Sequence, residues 1–156
     1  MDHTMHYRSP LGAMTLASDG EALIGVWFDG QAHYTLGLGE HEAQADAVLT
    51  SAARWLDDYF AGRAPGDPPK LAPRGTDFQK AVWQKLLEIP RGETATYGAI
   101  AAALGSSARA VGGAVGRNPI SILIPCHRVM GAGGALTGYA GGIDRKTALL
   151  IIEGAK

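Results

Sequence analysis

The chain has only one cysteine, Cys126, among its 156 residues. A single cysteine excludes an intrachain disulfide. With no second cysteine, His3 and His6 are too few to complete a structural metal site, so we expect no metal. No apolar run approaches the roughly 20 residues that a membrane-spanning helix needs, and residues 1–6 lack the pattern of a signal peptide. We therefore expect a cytoplasmic protein whose thiol stays reduced.

Charge is also sparse. Charged residues make up 19% of the chain, hydrophobic residues 46%, and the net charge is −1, which is typical of a globular protein rather than a disordered one. Residues 1–75 hold five Lys and Arg against ten Asp and Glu, whereas residues 76–156 hold nine against five. This asymmetry indicates that the C-terminal half meets an anion, although differences of this size are common among globular proteins.

Prolines divide the chain into two parts. Four of the eight lie within residues 62–75, which can therefore form neither a helix nor a central strand. We predict an N-terminal lobe over residues 1–64, a connector over 65–75 and a C-terminal domain over 76–156.

In the N-terminal lobe, residues 14–17 and 22–28 are apolar and predict two strands separated by a turn at 18–20, with a further turn at 9–12. Apolar residues at helical spacing predict a helix over 43–61 that ends at Gly62.

The C-terminal domain has helical patterning. Thr76 and Gln79 are spaced as a capping box, which predicts a helix that Pro90 ends. Its predicted apolar face consists of Phe78, Val82, Leu86 and Ile89.

Two short helices follow, over residues 96–104 and 107–116, with Gly105 between them, and this is the helix-turn-helix pattern. A last helix is predicted over 144–153.

The helix predicted over 107–116 is made almost entirely of very small residues. Gly112 and Gly113 in its interior each cost about 1 kcal/mol relative to alanine. Either a partner approaches this backbone closely, or the helix packs tightly on another helix. Arg109 is its one long side chain, which predicts a phosphate contact or insertion into a groove in place of an extruded base.

Cys126 lies in an unusual segment, residues 124–129, where His127 and Arg128 follow it. Both neighbours favour ionisation, and the thiolate is the nucleophilic form. The alternative is that the lone cysteine is a small buried hydrophobe. Neighbouring side chains of an extended chain point to opposite faces, so either the chain turns at Cys126 or a water relays the proton. A histidine base also needs an orienting partner, for which Glu153 is the best-placed acid.

Two segments flank this thiol. Asn118 precedes a proline and can tie a turn, and residues 120–124 are apolar and predict a buried strand that holds the thiol rigidly. Residues 138–142 form a glycine-bracketed loop around Tyr139, which predicts either a pocket wall against a flat ligand or a simple loop.

Residues 116–119, 124–129 and 138–142 together resemble the O6-alkylguanine-DNA alkyltransferase family, bacterial type, and the likeness extends over nearly the whole chain. The resemblance implies an α+β fold, with an N-terminal ribonuclease-H-like lobe and a helical lobe that carries a winged helix-turn-helix. It implies direct repair of double-stranded DNA by a monomer without a cofactor. After base flipping, a methyl or other alkyl group passes once and irreversibly from O6 of guanine to Cys126, with O4 of thymine as a second candidate donor.

The resemblance also implies residue roles. Arg109 fills the base stack, Tyr97 assists the flipped purine, Asn118 acts as the hinge, and His127 acts through water with Glu153 behind it. The implied catalytic residues are Cys126, His127, Glu153, Tyr97 and Asn118; the implied minor-groove contacts are Arg109, Tyr97, Ser107, Ala110 and Gly113; and the implied pocket residues are Val129, Tyr139 and Ala140.

Two other functions fit parts of the pattern. A non-enzymatic helix-turn-helix DNA binder would not need the thiol, so Cys126→Ala would leave it intact. A thiol hydrolase would turn over many times through a covalent acyl intermediate.

Overall fold

The N-terminal lobe is a four-stranded sheet covered by one helix in the computed structural model, which describes residues 1–155. The sheet order is β3-β2-β1-β4, with β4 parallel to β1 and the other pairs antiparallel. The strands are β1 (Asp2–Ser9), β2 (Gly12–Ser18), β3 (Leu23–Phe28) and β4 (His41–Ala43).

The two predicted strands are confirmed as β2 and β3, but β1 and β4 were not predicted. The sequence of β1 is polar because part of the strand faces solvent, where His6 and Arg8 are exposed. Because its sequence is polar, the apolar pattern does not predict β1, although it is a central strand of the sheet.

The first helix, α1 (Ala47–Phe60), begins later than the predicted position 43. β4 occupies the preceding residues, and the Asp46 side chain accepts a hydrogen bond from the Leu49 amide and caps the helix. Gly62 follows the helix end with a φ of +78°, as expected for a C-terminal stop.

The connector forms no helix, and a single parallel bridge joins Leu71 to Leu23 at the edge of β3. Arg74 then donates hydrogen bonds of 2.7 and 2.9 Å to the two carboxylate oxygens of Asp2. The connector is therefore fastened to the sheet by both backbone and side chain.

The predicted capping box is confirmed at the start of α2 (Asp77–Leu87), where Thr76 and Gln79 satisfy each other's backbone amides. The predicted apolar face is wrong at Phe78, which is 38% exposed. Trp83 is buried instead, and its Nε1 donates to the Ala114 carbonyl at 2.8 Å.

The predicted helix-turn-helix is confirmed as α3 (Tyr97–Leu104) and α4 (Ala108–Gly116), and Gly105 closes α3 with a φ of +63°. A small parallel sheet, β5 (Ala95–Thr96) and β6 (Val129–Met130), lies beside it, and α5 (Ile143–Ile152) ends the fold.

No single helix within residues 1–155 is long and apolar enough to cross a membrane. α3 and α4 reach the required length and apolarity only together, across a bend of 108°.

The strand predicted over 120–124 is wrong. Only Ile120 bridges the sheet, in parallel with Val26, and the chain then turns. Ile122 has a φ of +72°, which a β-branched residue rarely adopts, so this segment cannot continue as a strand. The turn nevertheless remains buried, and it anchors the cysteine segment to the outer edge of β3.

One hydrophobic core connects the two halves. It takes buried side chains from β2, β3 and all five α-helices, among them Leu16, Val26, Leu56, Leu86, Ile100, Val111 and Leu149.

Candidate active site

Asn118 holds the chain that leads to the cysteine. Its Nδ2 donates to the carbonyl oxygens of Ile124, at 2.8 Å, and Ile120, at 3.3 Å. Its Oδ1 accepts from the Ile120 amide at 2.9 Å. Because the side chain is 4% exposed, water cannot easily replace these bonds, and Asn118 fixes the turn as the sequence predicts.

Cys126 begins a single turn of 3₁₀ helix, Cys126–Arg128, so the chain does turn at the thiol. The cysteine is 4% exposed and lines a cavity of about 390 Å³. The cavity also touches Tyr97, Tyr139 and Ala140, three of the predicted site residues.

The sequence predicts that the neighbours of Cys126 favour ionisation of its thiol, but the pKa of the thiol is raised in the structure. Burial raises the pKa of the Cys126 thiol, although the Asn118 side chain and the positive charge of Lys146 partly oppose this. Arg128 does not serve the sulfur, because its Nε donates to Glu153 at 2.8 Å and its Nη1 to the Ile89 carbonyl at 2.7 Å. The thiol therefore needs a base when substrate is bound.

His127 is fully buried and bonded to Glu153, with 2.6 Å between Nε2 and Oε2. Burial lowers the pKa of His127, which favours the neutral imidazole. Burial alone would raise the pKa of Glu153, but the hydrogen bonds from His127 and Arg128 bring it down to about 2. The carboxylate thus holds the proton on Nε2 and leaves the lone pair on Nδ1. Nδ1 has no hydrogen-bond partner within residues 1–155 and is available to accept a proton.

The far wall of the cavity comes from residues that the sequence did not single out. Ala32 and His33 of the N-terminal lobe line it, and the Ala32 amide donates to the Ala140 carbonyl at 3.1 Å. Thr137 also lines it and lies 3.3 Å from the Tyr97 hydroxyl. Both lobes therefore shape the pocket.

Tyr139 adds a buried polar group to the cavity. Burial and the neighbouring Cys126 raise the pKa of its hydroxyl well above the usual value, so the phenol stays neutral. The hydroxyl is buried and has no well-formed hydrogen bond within the described chain, and Ser121 and Cys126 lie beside it.

Val129 lies behind the cavity rather than in its lining. Its carbonyl accepts from Lys146 Nζ at 2.5 Å, and a longer contact of 3.4 Å joins the same nitrogen to the Thr137 carbonyl. Lys146 is fully buried and links the cysteine segment to the pocket loop. No sequence motif marks it, because its partners are carbonyl groups that only the fold brings together.

Three of the residues predicted to meet DNA lie on α4, namely Arg109, Ala110 and Gly113, while Ser107 precedes this helix and Tyr97 begins α3. Ser107 caps the helix by accepting from the Ala110 amide at 3.1 Å, so these two residues have a structural role as well. Arg109 is exposed and lines a groove of about 450 Å³ together with Tyr97 and Gly112.

Tight packing on another helix does not explain the glycines of α4. A methyl group added to Gly113 would come no closer than 3.6 Å to any atom outside its own helix backbone, and at Gly112 the nearest atom is 3.9 Å away. The other alternative for these glycines, an open backbone surface that a partner can approach closely, is the one that remains.

No group of three or more His, Cys, Asp or Glu within residues 1–155 is placed to hold a metal ion.

Comparison with known proteins places both halves of the chain in the same family. Residues 3–65 match the family description "6-O-methylguanine DNA methyltransferase, ribonuclease-like domain", and residues 77–155 match "6-O-methylguanine DNA methyltransferase, DNA binding domain". The chain belongs to the 6-O-methylguanine DNA methyltransferase family. The family resemblance and the α+β fold expected from the sequence are confirmed.

Family relatives match over nearly the full length. The methylated-DNA–protein-cysteine methyltransferase of Methanosarcina acetivorans is 47% identical over 151 residues, which are 96% of each chain. The protein of that name from Mycobacterium bovis is 47% identical over 154 residues, 96% of this chain and 92% of its own. The structure of Mycobacterium tuberculosis OGT in complex with DNA has a TM-score of 0.85 and 45% identity and covers 98% of this chain and 92% of that chain.

Proposed function

We propose that this protein repairs alkylated DNA by transferring one methyl or other alkyl group from O6 of guanine to the sulfur of Cys126, which is consumed. The observation that carries the proposal is the position of Cys126 in a cavity, next to a buried His127–Glu153 pair, in a chain of this methyltransferase family.

Proton transfer precedes the reaction. The raised pKa of Cys126 keeps the resting thiol neutral, so it must lose its proton when substrate is in place. A water in the cavity passes this proton to Nδ1 of His127, and the imidazolium is stabilised by Glu153 on the other side of the ring.

The transfer is a displacement at the alkyl carbon. An electron pair on the sulfur forms the S–C bond while the C–O6 bond breaks, and the electrons of the broken bond remain on guanine. The guanine then takes up one proton, and the Tyr97 hydroxyl in the cavity wall is the candidate donor. Because a thioether is a poor leaving group, no second step regenerates the thiol.

Base flipping follows from the burial of the sulfur. A guanine stacked in a duplex cannot reach an atom that is 4% exposed within a cavity, so the nucleotide must leave the stack. Arg109, exposed on α4 beside the groove that Tyr97 lines, can occupy the space that the base vacates.

We also propose that α4 enters the minor groove and that the protein acts as a monomer in the cytoplasm. The minor groove is about 6 Å wide, and a helix surface of glycine and alanine approaches it more closely than one with long side chains. A single chain holds every group that the mechanism uses, so no second copy is needed, and a reducing compartment keeps the Cys126 thiol available.

Intact-protein mass spectrometry after incubation with a duplex that contains one O6-methylguanine tests the proposal. We expect a gain of one methyl group, at most one per chain, mapped to Cys126 by peptide analysis. Cys126→Ala should bind the duplex and gain no mass. An unmodified wild-type protein with the lesion still present would rule the proposal out, and repeated turnover would instead indicate a hydrolase. A parallel duplex with O4-methylthymine compares the second candidate donor.

A further inference from the structure

Tyr59 belongs to α1 of the N-terminal lobe, yet its hydroxyl reaches the residues behind the cysteine. It donates to Oε2 of Glu153 at 2.6 Å. The same oxygen accepts from Nε2 of His127, also at 2.6 Å. One carboxylate oxygen thus receives two short hydrogen bonds from opposite lobes, and only one of them has a part in the mechanism above.

The ring of Tyr59 is held in place by its surroundings. It stacks on Trp55 with 5.5 Å between ring centroids and an interplanar angle of 13°, and Phe60 meets it edge-on at 5.3 Å. The guanidinium of Arg91 lies 5.4 Å from the ring centroid. Tyr59 is 1% exposed, and a second acceptor for its hydroxyl, the Leu149 carbonyl, lies 3.5 Å away, so the 2.6 Å bond to Glu153 is the stronger of the two.

The hydroxyl is a donor at every pH at which the protein works. Burial, and after it the negative charge of Glu153, raises the pKa of Tyr59 far above its usual value. A neutral phenol next to a carboxylate donates its proton into the hydrogen bond and draws electron density from the oxygen.

Other charged groups also face this cluster. Arg128 binds the second carboxylate oxygen, Oε1, at 2.8 Å, while Lys146 adds positive charge on the His127 side. Cys126 and Tyr139 are the remaining titratable neighbours, one on the cavity side of Lys146 and one near Tyr59. Oε2 is therefore the only atom that Tyr59 and His127 share, and it is where a change in one affects the other.

We propose that Tyr59 is a positioning residue for alkyl transfer: by sharing Oε2 of Glu153 with His127, it sets how strongly His127 holds a proton. This inference rests on the proposed function, in which His127 accepts the thiol proton. Without the Tyr59 hydroxyl, Oε2 presents more negative charge to His127, so the pKa of His127 rises. With the hydroxyl, the imidazolium forms less readily and the histidine stays neutral to lower pH.

Single-turnover transfer from an O6-methylguanine duplex, measured across pH, tests the proposal in Tyr59→Phe. We expect the acid limb of the rate profile to move upward by about 0.5 to 1 pH unit, since one pH unit corresponds to one unit of pKa. A purely structural role would lower the rate by the same factor at every pH. An unmoved acid limb in a folded Tyr59→Phe variant overturns the proposal.

Tyr7→Phe is the matched control. The Tyr7 hydroxyl also donates to a carboxylate, that of Asp57 at 2.7 Å, but this pair lies outside the cavity lining. The control should keep the wild-type profile. If Tyr59→Phe does not fold, replacement of Tyr59 by 3-fluorotyrosine tests the same proposal. The fluorinated ring keeps nearly the same shape, and its hydroxyl is a stronger hydrogen-bond donor. This replacement should move the limb downward, and an unchanged limb in the fluorinated protein contradicts the proposal equally.

A second measurement separates this inference from the proposed function. The rate at which iodoacetamide alkylates Cys126 also depends on proton removal, and it needs no DNA. A shifted iodoacetamide profile in Tyr59→Phe supports the link to His127 even if the wild type fails to repair the duplex. If the iodoacetamide profile of Tyr59→Phe is unshifted while the wild type repairs the duplex, the proposed role of Tyr59 is rejected and the proposed function stands.

Discussion

Asn118 bonds to the carbonyl of Ile124 across six residues of chain, and this bond closes the turn from which Cys126 is presented. The same side chain lowers the pKa of the buried thiol, against the larger effect of burial. One amide therefore shapes the backbone and stabilises the sulfur anion.

Asn118→Ala should harm both stability and reaction. It leaves the Ile120 amide without its acceptor in a buried turn, and one unsatisfied group costs about 1–3 kcal/mol. The Ile124 carbonyl loses one of its two donors but still accepts from the Cys126 amide at 2.8 Å. We expect urea unfolding to show a loss of about 1–3 kcal/mol, and iodoacetamide to react more slowly with Cys126 near neutral pH. Equal thiol reactivity in variant and wild type would mean that Asn118 does not affect the sulfur.

Substitutions at Gly113 of α4 should raise the stability of the protein in one case and weaken its binding to DNA in the other. Gly113→Ala places its methyl group in ordinary contact distance of neighbouring atoms and removes the entropic penalty of glycine in a helix. We expect the free energy of unfolding to rise by up to about 1 kcal/mol. Gly113→Leu should keep the fold and weaken duplex binding, because a long side chain holds the helix away from the groove. Fluorescence anisotropy with an unmodified duplex measures the affinity, and unchanged binding by the leucine variant would argue against α4 as the DNA-facing helix.

Arg109 distinguishes insertion into the base stack from a phosphate contact. If it replaces the flipped base, Arg109→Ala should slow transfer from the duplex by about 10- to 100-fold, the equivalent of a lost stacking contact of about 1–3 kcal/mol. Its reaction with the free base O6-methylguanine should not change, since that substrate needs no flipping.

The salt dependence of duplex affinity tests the alternative role of Arg109, a contact with a DNA phosphate. Loss of one phosphate contact would reduce the slope of log affinity against log salt by about 0.9 and would slow transfer only through weaker binding. Loss of an inserted side chain would slow transfer even when the protein saturates the duplex. Arg63→Ala, which removes an exposed arginine paired with Asp58, serves as the control and should change neither measurement.

Signals confined to a few neighbouring residues predict the structure best, although the apolar face of α2 fails at Phe78. The capping box at Thr76 depends on residues three apart, and it is present as predicted. The failed strand at 120–124 is apolar and buried as a strand would be, but Asn118 and the φ of Ile122 turn it, and neither leaves a mark in the apolar pattern.

Some residues of the candidate active site can be predicted from the sequence, and others cannot. The need of His127 for an orienting acid predicts Glu153, as the family resemblance also implies, and the structure brings the two side chains together. Tyr59 and Lys146 were missed because a buried tyrosine on an amphipathic helix looks like core, and a lysine in a helix looks like surface. Their partners lie 94 and 17 residues away in the chain, so only tertiary packing defines their roles.

The ion pair between Asp2 and Arg74 predicts how stability depends on pH. Hydrogen bonds from Arg74 lower the pKa of the Asp2 carboxyl below its ordinary value of 3.8. The stabilisation is therefore complete above the unfolded-state pKa and is lost as pH falls through the lower, folded-state value. Asp2→Asn should lower the free energy of unfolding at pH 7 by about 1.5–3 kcal/mol, the range for hydrogen bonds to charged groups.

That difference between Asp2→Asn and wild type should shrink as urea unfolding is repeated at pH 5, 4 and 3, because the wild-type carboxyl becomes protonated in the same range. Asp67→Asn is the control, since Asp67 is exposed in the connector and forms no ion pair within residues 1–155. A difference that stays constant down to pH 3 would mean that Asp2 contributes through packing rather than charge. A difference that shrinks would show that the charge of the Asp2 carboxylate stabilises the fold through Arg74, the contact that fastens the connector to β1.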